Sequence, residues 1–583
     1  AGDAGARERA RRLEELKLRL QSRVGDTIHR YRAQWDSERA EVGGLDEFAR
    51  TVEENLRADI LAEYGHLRGG APATWQQEER AALESFVRFQ TRQFTGRARV
   101  LSRLMELALD GDRRAVCLHG EPGAGKSAVM AELCLLLTGQ VAEEDPLFQQ
   151  LGSLARQAAQ MTRAQAGSER RPAMLVLAHS AGVTQRSRSA DRLLRRWIGE
   201  LAEFLGVEDP VARWEAEERQ RARQRQEGGV KGLLRRLFSG EEAAGGPSAD
   251  EVMETFSSLL VGAAARARVV ILLDALNELD PTADTFLARL AAMAAASENV
   301  RVIASAVPGR QTQIFANAGG ALEQLEPLSR DEAGAMIRAV CQRYHRARGL
   351  TERIVSAILG HTRPDGRPSW ENPLWLELAV EAINNLDRED YRRLETDPRY
   401  TALDDYMQRI EQLLVDTAQA VPGDVAGAYD WMLERAEDVV GRHDVARAIA
   451  CLLALSRSGW REEDLAELVP QLVGLAEEQW DPISFTLWRR ALLDHVVQSG
   501  AQGQWYFHHA QLREAAMRRY LGFRPAGEPL AEDVYLAALG WGEMDVGSLR
   551  QVHRIAAHHL LRLPESDPMR SEIMFHLMGA DDA

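Results

Sequence analysis

The residues Gly120-Glu121-Pro122-Gly123-Ala124-Gly125-Lys126-Ser127 have types and a spacing that specify a chemistry. They match G-x-x-x-x-G-K-[ST], in which glycines let the backbone curl until successive amide hydrogens face one anion. The helix that follows adds the positive end of its dipole. A cradle for nucleotide phosphates is therefore expected from Gly120 through Ala128, with Lys126 bridging the β- and γ-phosphates and the Ser127 hydroxyl offered to Mg2+.

Such a cradle needs a metal-holding carboxylate at the end of a buried strand, and the apolar run Val269-Val270-Ile271-Leu272-Leu273 ends on Asp274. Asp274 and Ser127 are the expected Mg2+ ligands. Four residues on, Glu278 is placed to accept a proton from an attacking water, with Asp280 the weaker alternative. Glu278 serves equally as a loop cap or as the partner of an arginine, and the sequence leaves both open. Lys126, Asp274 and Glu278 form the expected catalytic set, and ATP or ADP with Mg2+ the expected ligands.

To position these groups the loop must leave a strand and enter a helix; Ala115–His119 supplies the strand and residues 127–137 the helix. Further strands at 174–178, 269–273 and 302–305 alternate with helical segments, the pattern of a parallel sheet covered on both faces by helices. The alternation is interrupted within about 208–250 by a Glu/Arg/Gln-rich run and a Gly/Ala/Glu-rich tail. The basic amphipathic stretch 231–238 inside it reads as a solvated loop helix, with contact to a membrane or a partner as the alternative.

A chain of 583 residues exceeds what one hydrophobic core supports, so several modules are expected. Residues 1–93 read as a helical connector with stripes at Leu13, Leu16 and Leu20 and at Phe48, Val52, Leu56 and Ile60. The α/β module spans 94–315, and amphipathic helices fill 316–421. From 422 to 522, two helices joined at Ser458-Gly459-Trp460, a helix over 484–494, a hairpin over 496–507 and a helix from Gln511 suggest a winged-helix module. Residues 523–583 are read as a helical region where a sensor domain begins.

The formal charge of −16 argues against general adhesion to nucleic acid or anionic lipid. Cys117, Cys134, Cys341 and Cys451 have no metal-ligand spacing and read as core thiols of a reducing compartment. No apolar run approaches the roughly 20 residues of a membrane span, and the first residues lack a signal-peptide pattern, so a cytoplasmic protein is expected. The Ala/Arg/Gly/Glu bias hints at a bacterial source.

Several motifs extend the reading to a family. Phe94-Thr95-Gly96-Arg97 resembles the F-x-G-R motif of STAND ATPases, signal-transduction ATPases with numerous domains, and the resemblance implies backbone contact with adenine by Phe94, Gly96 and Arg97. The acidic residue that usually follows is replaced here by Ala98. Asp274-Ala275-Leu276-Asn277-Glu278-Leu279 resembles the D-A-L-N-x-L signature of the NACHT-like branch related to nephrocystin-3 and telomerase-associated protein 1. His179-Ser180-Ala181-Gly182-Val183-Thr184 is similar to the H-F-x-G-x-T segment of those proteins. Glu371-Asn372-Pro373-Leu374 is similar to their G/N-x-P segment, which implies that Pro373 packs near adenine; an Asn-Pro helix start is compatible with it. Phe507-His508-His509-Ala510-Gln511-Leu512-Arg513-Glu514 resembles their F-H-x-x-L-R-E motif. In the family a winged-helix histidine contacts the β-phosphate of ADP, and His509 fits the spacing better than His508; a purely structural histidine is the alternative. Much of the class also has a phosphate-sensing arginine directly after the strand that ends here at Ser305, where the nearest arginine is Arg310.

The resemblance implies an ATP/ADP-switched signalling NTPase that hydrolyses slowly and self-associates on activation, answering an unknown trigger and driving an unknown effector, in bacterial stress or anti-phage immunity. An AAA-type remodelling ATPase and a catalytically silent nucleotide-dependent scaffold are the competing expectations. No specific nucleic-acid partner is expected, because the helix following Arg461 is rich in Glu and Asp.

Overall fold

The computed structural model describes residues 11, 14, 17, 34–36, 41–43, 46–64, 74–92, 94–162, 173–184, 186–217, 247–280, 283–343, 350–476, 480–499, 503–523, 545–564 and 567–580. The chain divides into two units, Ala1–Glu78 and Glu79–Ala583. The first contains an antiparallel strand pair, β1 (Gln34–Asp36) and β2 (Glu41–Gly43), before the helix Asp46–Tyr64. The expected run of helices from residue 7 to 64 is thus broken by a short ribbon, at a place where Gly43 and Gly44 make helix costly. The Leu13, Leu16 and Leu20 stripe lies outside the described residues.

The second unit is built on a five-stranded, wholly parallel sheet of β3 (Ala115–His119), β4 (Met174–Ser180), β5 (Arg268–Asp274), β6 (Val300–Ala306) and β7 (Ala321–Gln324), in the order β4-β5-β6-β3-β7. Strand β6 is buried at every position, and β5 at every position after Arg268. Helices cover both faces, which is why these strands read as continuous apolar runs. On one face Leu118, Val270, Leu272 and Ile303 join a core with the helices Ala98–Leu109, Lys126–Leu137 and Ser153–Thr162. On the other, Trp197 of helix Ala190–Leu205 stacks 5.9 Å from Phe256 of helix Ala249–Ala264.

Two expectations need correction. Strand β7 belongs to this sheet although it lies beyond residue 315, so the α/β module runs on to about Gln324. Its four residues alternate between half-buried and exposed, too short and too polar a pattern to read as a strand of this sheet. The interruption also starts later than residue 208: residues 210–217 are helical, and Val211 and Trp214 are buried. The basic stretch 231–238 lies outside the described residues.

After β7 come helices from Arg330–Arg343 to Val425–Val440, then His443–Ala454, Glu462–Val473 and Ile483–Leu492, the antiparallel hairpin of β8 (Val496–Ser499) and β9 (Gln504–Phe507), and helix Ala510–Leu521. Helices Val546–Arg562 and Ile573–Ala580 follow. The sequence suggested divisions at 421/422 and 522/523, yet one continuous cluster of buried side chains extends from Leu328 to Met569. Trp460, fully buried, ties helices to hairpin by exchanging both backbone hydrogen bonds with Trp505 (3.0 and 2.8 Å). Among the described residues no helix is long and apolar enough to cross a membrane, and all four cysteines are free thiols.

The Trp460–Trp505 junction depends on Gly459, whose φ is +81° and where a Cβ would lie 2.2 Å from the Trp505 carbonyl oxygen. Gly459→Ala is expected to cost about 2 kcal/mol or more in thermal unfolding; an unchanged midpoint would show that the junction does not hold the hairpin.

Candidate functional site

The loop between β3 and helix Lys126–Leu137 is defined by what its carbonyls do. Gly120 O and Glu121 O accept from Lys126 Nζ (2.8 and 2.9 Å), and Pro122 O accepts from Asn372 Nδ2 (3.0 Å). Gly123 O accepts from the Leu374 amide (3.2 Å), Ala124 O from Arg97 Nη2 (3.2 Å) and Gly125 O from the Val129 amide (3.0 Å). Every acceptor from Gly120 to Gly125 is engaged, so donors are what this turn has left to offer a ligand, the condition for binding an anion. Gly123 and Gly125 are left-handed, with φ of +77° and +87°. At Gly123 a Cβ would also come within 2.9 Å of Asn372 Oδ1 and Leu374 Cβ, so glycine is required twice over.

Asp274 closes β5 at the same sheet edge, where ligands of open parallel sheets bind. One strand, β6, separates it from β3, and that strand supplies Ser305. Ser305 Oγ donates to Asp274 Oδ1 and accepts from the Ala275 amide (3.1 Å), while Ser180 Oγ at the end of β4 donates to Asp274 Oδ2 (2.9 Å). These two buried serines aim the carboxylate. Lys126 is nearly buried; burial pushes its pKa down, and the Asp274 carboxylate opposes that shift.

Among the described residues no group of three or more His, Cys, Asp and Glu side chains is arranged to hold a metal. A hydroxyl at Ser127 and one oriented carboxylate at Asp274 suit Mg2+, which takes its remaining ligands from phosphate oxygens and water. The donor set therefore fits that ion.

These groups open into a cavity of about 750 Å³. Of the residues expected to bind nucleotide, Phe94, Arg97, Pro122, Gly123, Gly125, Lys126, Ser127, Ala128, Pro373 and His509 line it, as do Asp274 and Glu278. Gly96, Gly120, Glu121 and Ala124 do not. Gly96 packs against Glu332, Gly120 against Leu325, and Glu121 turns outward to Arg363 and Arg367 (2.8 and 2.9 Å), whose hydrogen bonds pull its pKa down. The Arg97 amide donates to Glu332 Oε1 (2.8 Å), and its guanidinium bonds the carbonyls of Glu326 and Ala124. Arg97 thus laces the loop to the segment that follows β7.

Glu278 Oε2 lies 3.4 Å from Arg188 Nη2. Asn277 accepts from the Val307 amide (3.1 Å), fixing the end of β6, and Arg310 pairs with Asp284 outside the cavity lining. His179 is kept neutral, its pKa pushed down to about 3 by burial and by Arg196; it bonds Ser187 O and braces the turn that carries Arg188.

The far wall comes from elsewhere in the chain. Phe86, Phe89 and Gln90 of helix Trp75–Thr91 face His508, with Gln90 Nε2 3.2 Å from His508 Nε2 and the Phe89 ring at 4.5 Å. His509 caps helix Ala510–Leu521, 4.5 Å from His508 and 5.5 Å from His495. Burial, then neighbouring charge, lowers both: His508 to about 3, and His509 well below its ordinary value. His495 goes the other way. Burial works against its imidazolium, but Glu381, 2.7 Å away and itself paired with Arg343, prevails and raises its pKa.

The sequence assigned no role to Ser180, Ser305, Arg188 or Arg513, or to the helix carrying Phe89. A buried hydroxyl closing an apolar strand was the available signal for the serines; the others meet the site only through tertiary packing.

Residues 93–303 match the family model of the AAA ATPase domain. No curated protein matches the chain. Among solved structures, Orc1 of Aeropyrum pernix in complex with DNA aligns at 15% identity and TM-score 0.31, covering 73% of this chain and 93% of that one. Cdc6p of Pyrobaculum aerophilum aligns at 11% and 0.25, covering 74% and 96%. Superpositions this loose leave the DNA a property of the first of those proteins. The domain match, the parallel sheet and the loop make this a P-loop NTPase.

Lys126→Ala is expected to weaken ATP binding by about tenfold or more, the scale of a charge-assisted hydrogen bond, in a fluorescent-nucleotide titration; unchanged affinity would remove Lys126 from the site. Asn372→Ala removes both the Pro122 contact and the cap on Leu374 and Trp375. It should cost about 1–2 kcal/mol in thermal unfolding and weaken nucleotide binding as well; lost stability with intact binding would separate the cap from the cradle.

Proposed function

We propose that this chain is an ATP/ADP-switched signalling NTPase of the STAND class, in its NACHT-like branch. The observation that carries the reading is the composition of one cavity wall: the phosphate loop and Asp274 from the α/β module, Pro373 from the helical segment, and His508, His509 and Arg513 from the helix–hairpin segment. A nucleotide there touches all three, so its phosphate number can bias their arrangement. The helices and hairpin around Trp460 support a winged helix, and the aromatic wall of Phe89 and Phe94 supports a site for adenine.

In this reading Lys126 and the loop amides hold the phosphates, and Ser127 and Asp274 hold Mg2+, which when bound neutralises phosphate oxygens. Glu278 takes a proton from water. Its pairing with Arg188 suits slow turnover, because a base engaged by a guanidinium is a weaker acceptor. The moving body is the whole block from Leu328 onward, since its modules share one core, and the hinge is the 325–329 segment laced by Arg97. With ADP bound, His509 holds that block against the α/β module. ATP releases it for self-association, and the output is a bacterial stress or anti-phage response in the cytoplasm, through a trigger and an effector outside these modules.

The match to the AAA ATPase domain favours a second reading, a remodelling ATPase that cycles continuously. Glu278→Gln separates the two. A switch should retain ATP, lose at least about tenfold of an already slow turnover and accumulate as the larger assembly in solution. Fast wild-type turnover with an assembly size indifferent to nucleotide would favour remodelling. No measurable hydrolysis in the wild type would favour a silent scaffold.

A further inference from the structure

The phosphate loop carries one acidic side chain, Glu121, and a carboxylate beside a polyphosphate site repels its ligand. The charge is felt inside the site: burial lowers the Lys126 pKa, and Glu121, behind Asp274, is among the groups that oppose the shift. Yet Glu121 itself points away from the cavity, to two arginines of the helical block. Arg363 Nη1 donates to Glu121 Oε2 (2.8 Å) and Arg367 Nη1 to Oε1 (2.9 Å), one guanidinium for each oxygen. These bonds pull the Glu121 pKa down, so the carboxylate stays ionised. Asp365 holds Arg367 in turn, accepting from its Nε (2.8 Å). Two carboxylates and two guanidiniums thus form one network of zero formal charge, and networks hold where isolated surface pairs contribute little.

The two arginines reach one carboxylate because their own turn is fixed. Thr362 bridges Pro368, the Arg363 amide donates to Arg367 O (2.8 Å), and Gly366 turns the chain at a φ of +84°. The base of this hairpin is anchored in the block: Ser369 Oγ donates to Gly423 O (2.5 Å), and His361 Nε2 lies 2.9 Å from Ala418 O. The arginines therefore travel with the block, and Glu121 with the phosphate loop. We propose that Glu121 couples the position of the helical block to phosphate affinity through charge. While the block is docked, Arg363 and Arg367 cancel the carboxylate. When the block moves away, the bare carboxylate repels the phosphates and hastens release of the nucleotide. The inference rests on the nucleotide-site and mobile-block reading above and adds to it the residues through which the block's position sets affinity.

The test is equilibrium binding of fluorescent ADP, with Mg2+, to the full chain. Replacing Arg363 and Arg367 together by Ala bares the carboxylate. It should weaken ADP by about threefold to tenfold at low salt, and by less than about twofold near ~0.5 M salt, where charges are screened within a few ångströms. Replacing both by Lys keeps the charge and should stay near wild type. The decisive variant adds Glu121→Gln to the two alanines: with the repelling charge gone, ADP affinity should return to within about twofold of wild type. A purely mechanical clamp predicts otherwise, since Gln cannot bond to the missing guanidiniums and the triple variant would stay as weak as the double. That result, or unchanged affinity when both arginines are Ala, overturns the inference while leaving the nucleotide site intact. Should the double variant fail to fold, Arg367→Ala, at a side chain 49% exposed, carries the same test with and without Glu121→Gln. A wild-type chain that binds no nucleotide overturns both readings.

Discussion

The structure depends on where the carbonyls of one turn are directed. From Gly120 to Gly125 each backbone acceptor is engaged by Lys126, by the Val129 amide of the following helix, or by groups from distant parts of the chain: Arg97, Asn372 and Leu374. An unliganded glycine-rich turn has many conformations, and ordering it costs entropy. Here the helical segment shares that cost, because the hydrogen bonds that fix the turn also fix helix Pro373–Asn384. Phosphate affinity and the position of the helical block are consequently two consequences of one set of contacts.

That coupling matters because the block behaves as one body. One cluster of its described buried side chains has members from Leu328 to Met569, beside a small separate cluster of Leu394, Tyr400 and Leu413, and Glu381 engages both Arg343 and His495. Such a buried pair adds little net stability but loses much if broken. In the proposed switch, motion is concentrated at the boundary with the α/β module. The polar contacts across that boundary include Glu121 with Arg363 and Arg367, Asn372 with Pro122, and Arg97 with Glu326. Polar contacts of this kind exchange readily with water or with a charged ligand.

The parts legible in the sequence were those governed by local pattern. The phosphate loop declared itself by glycine spacing between a strand and a helix, and Asp274 by ending an apolar run; the hairpin pairs Ser499 with Gln504, on either side of the glycines that suggested it. Strand β7 was missed because only four residues at a sheet edge alternate in burial, and β1 and β2 because helical period continues around a three-residue pair. The rest is fixed by tertiary partners, beyond the local signal that the strand-end serines carried. Ser180, Ser305, Arg188 and Arg513 gain their roles from partners 90 or more residues away or from a shared cavity, and Ser180 and Asp274 are 94 positions apart. Arg97 was read from a motif that implies backbone contact with nucleotide, and the bonds of its side chain to the Glu326 and Ala124 carbonyls were not legible from that motif. The division of the helical half into modules followed helix–loop rhythm, which says nothing about whether neighbouring cores merge.

The central claim is that one bound nucleotide is gripped at once by the phosphate loop, the Asn372–Pro373 helix start and the segment from β9 into the following helix. Amide hydrogen exchange measured by mass spectrometry, with and without saturating ADP and Mg2+, tests it directly. The account predicts slowed exchange in all three segments, residues 120–130, 369–378 and 504–514, at the same nucleotide concentration. Protection confined to 120–130, with 504–514 exchanging as in the free protein, would contradict it.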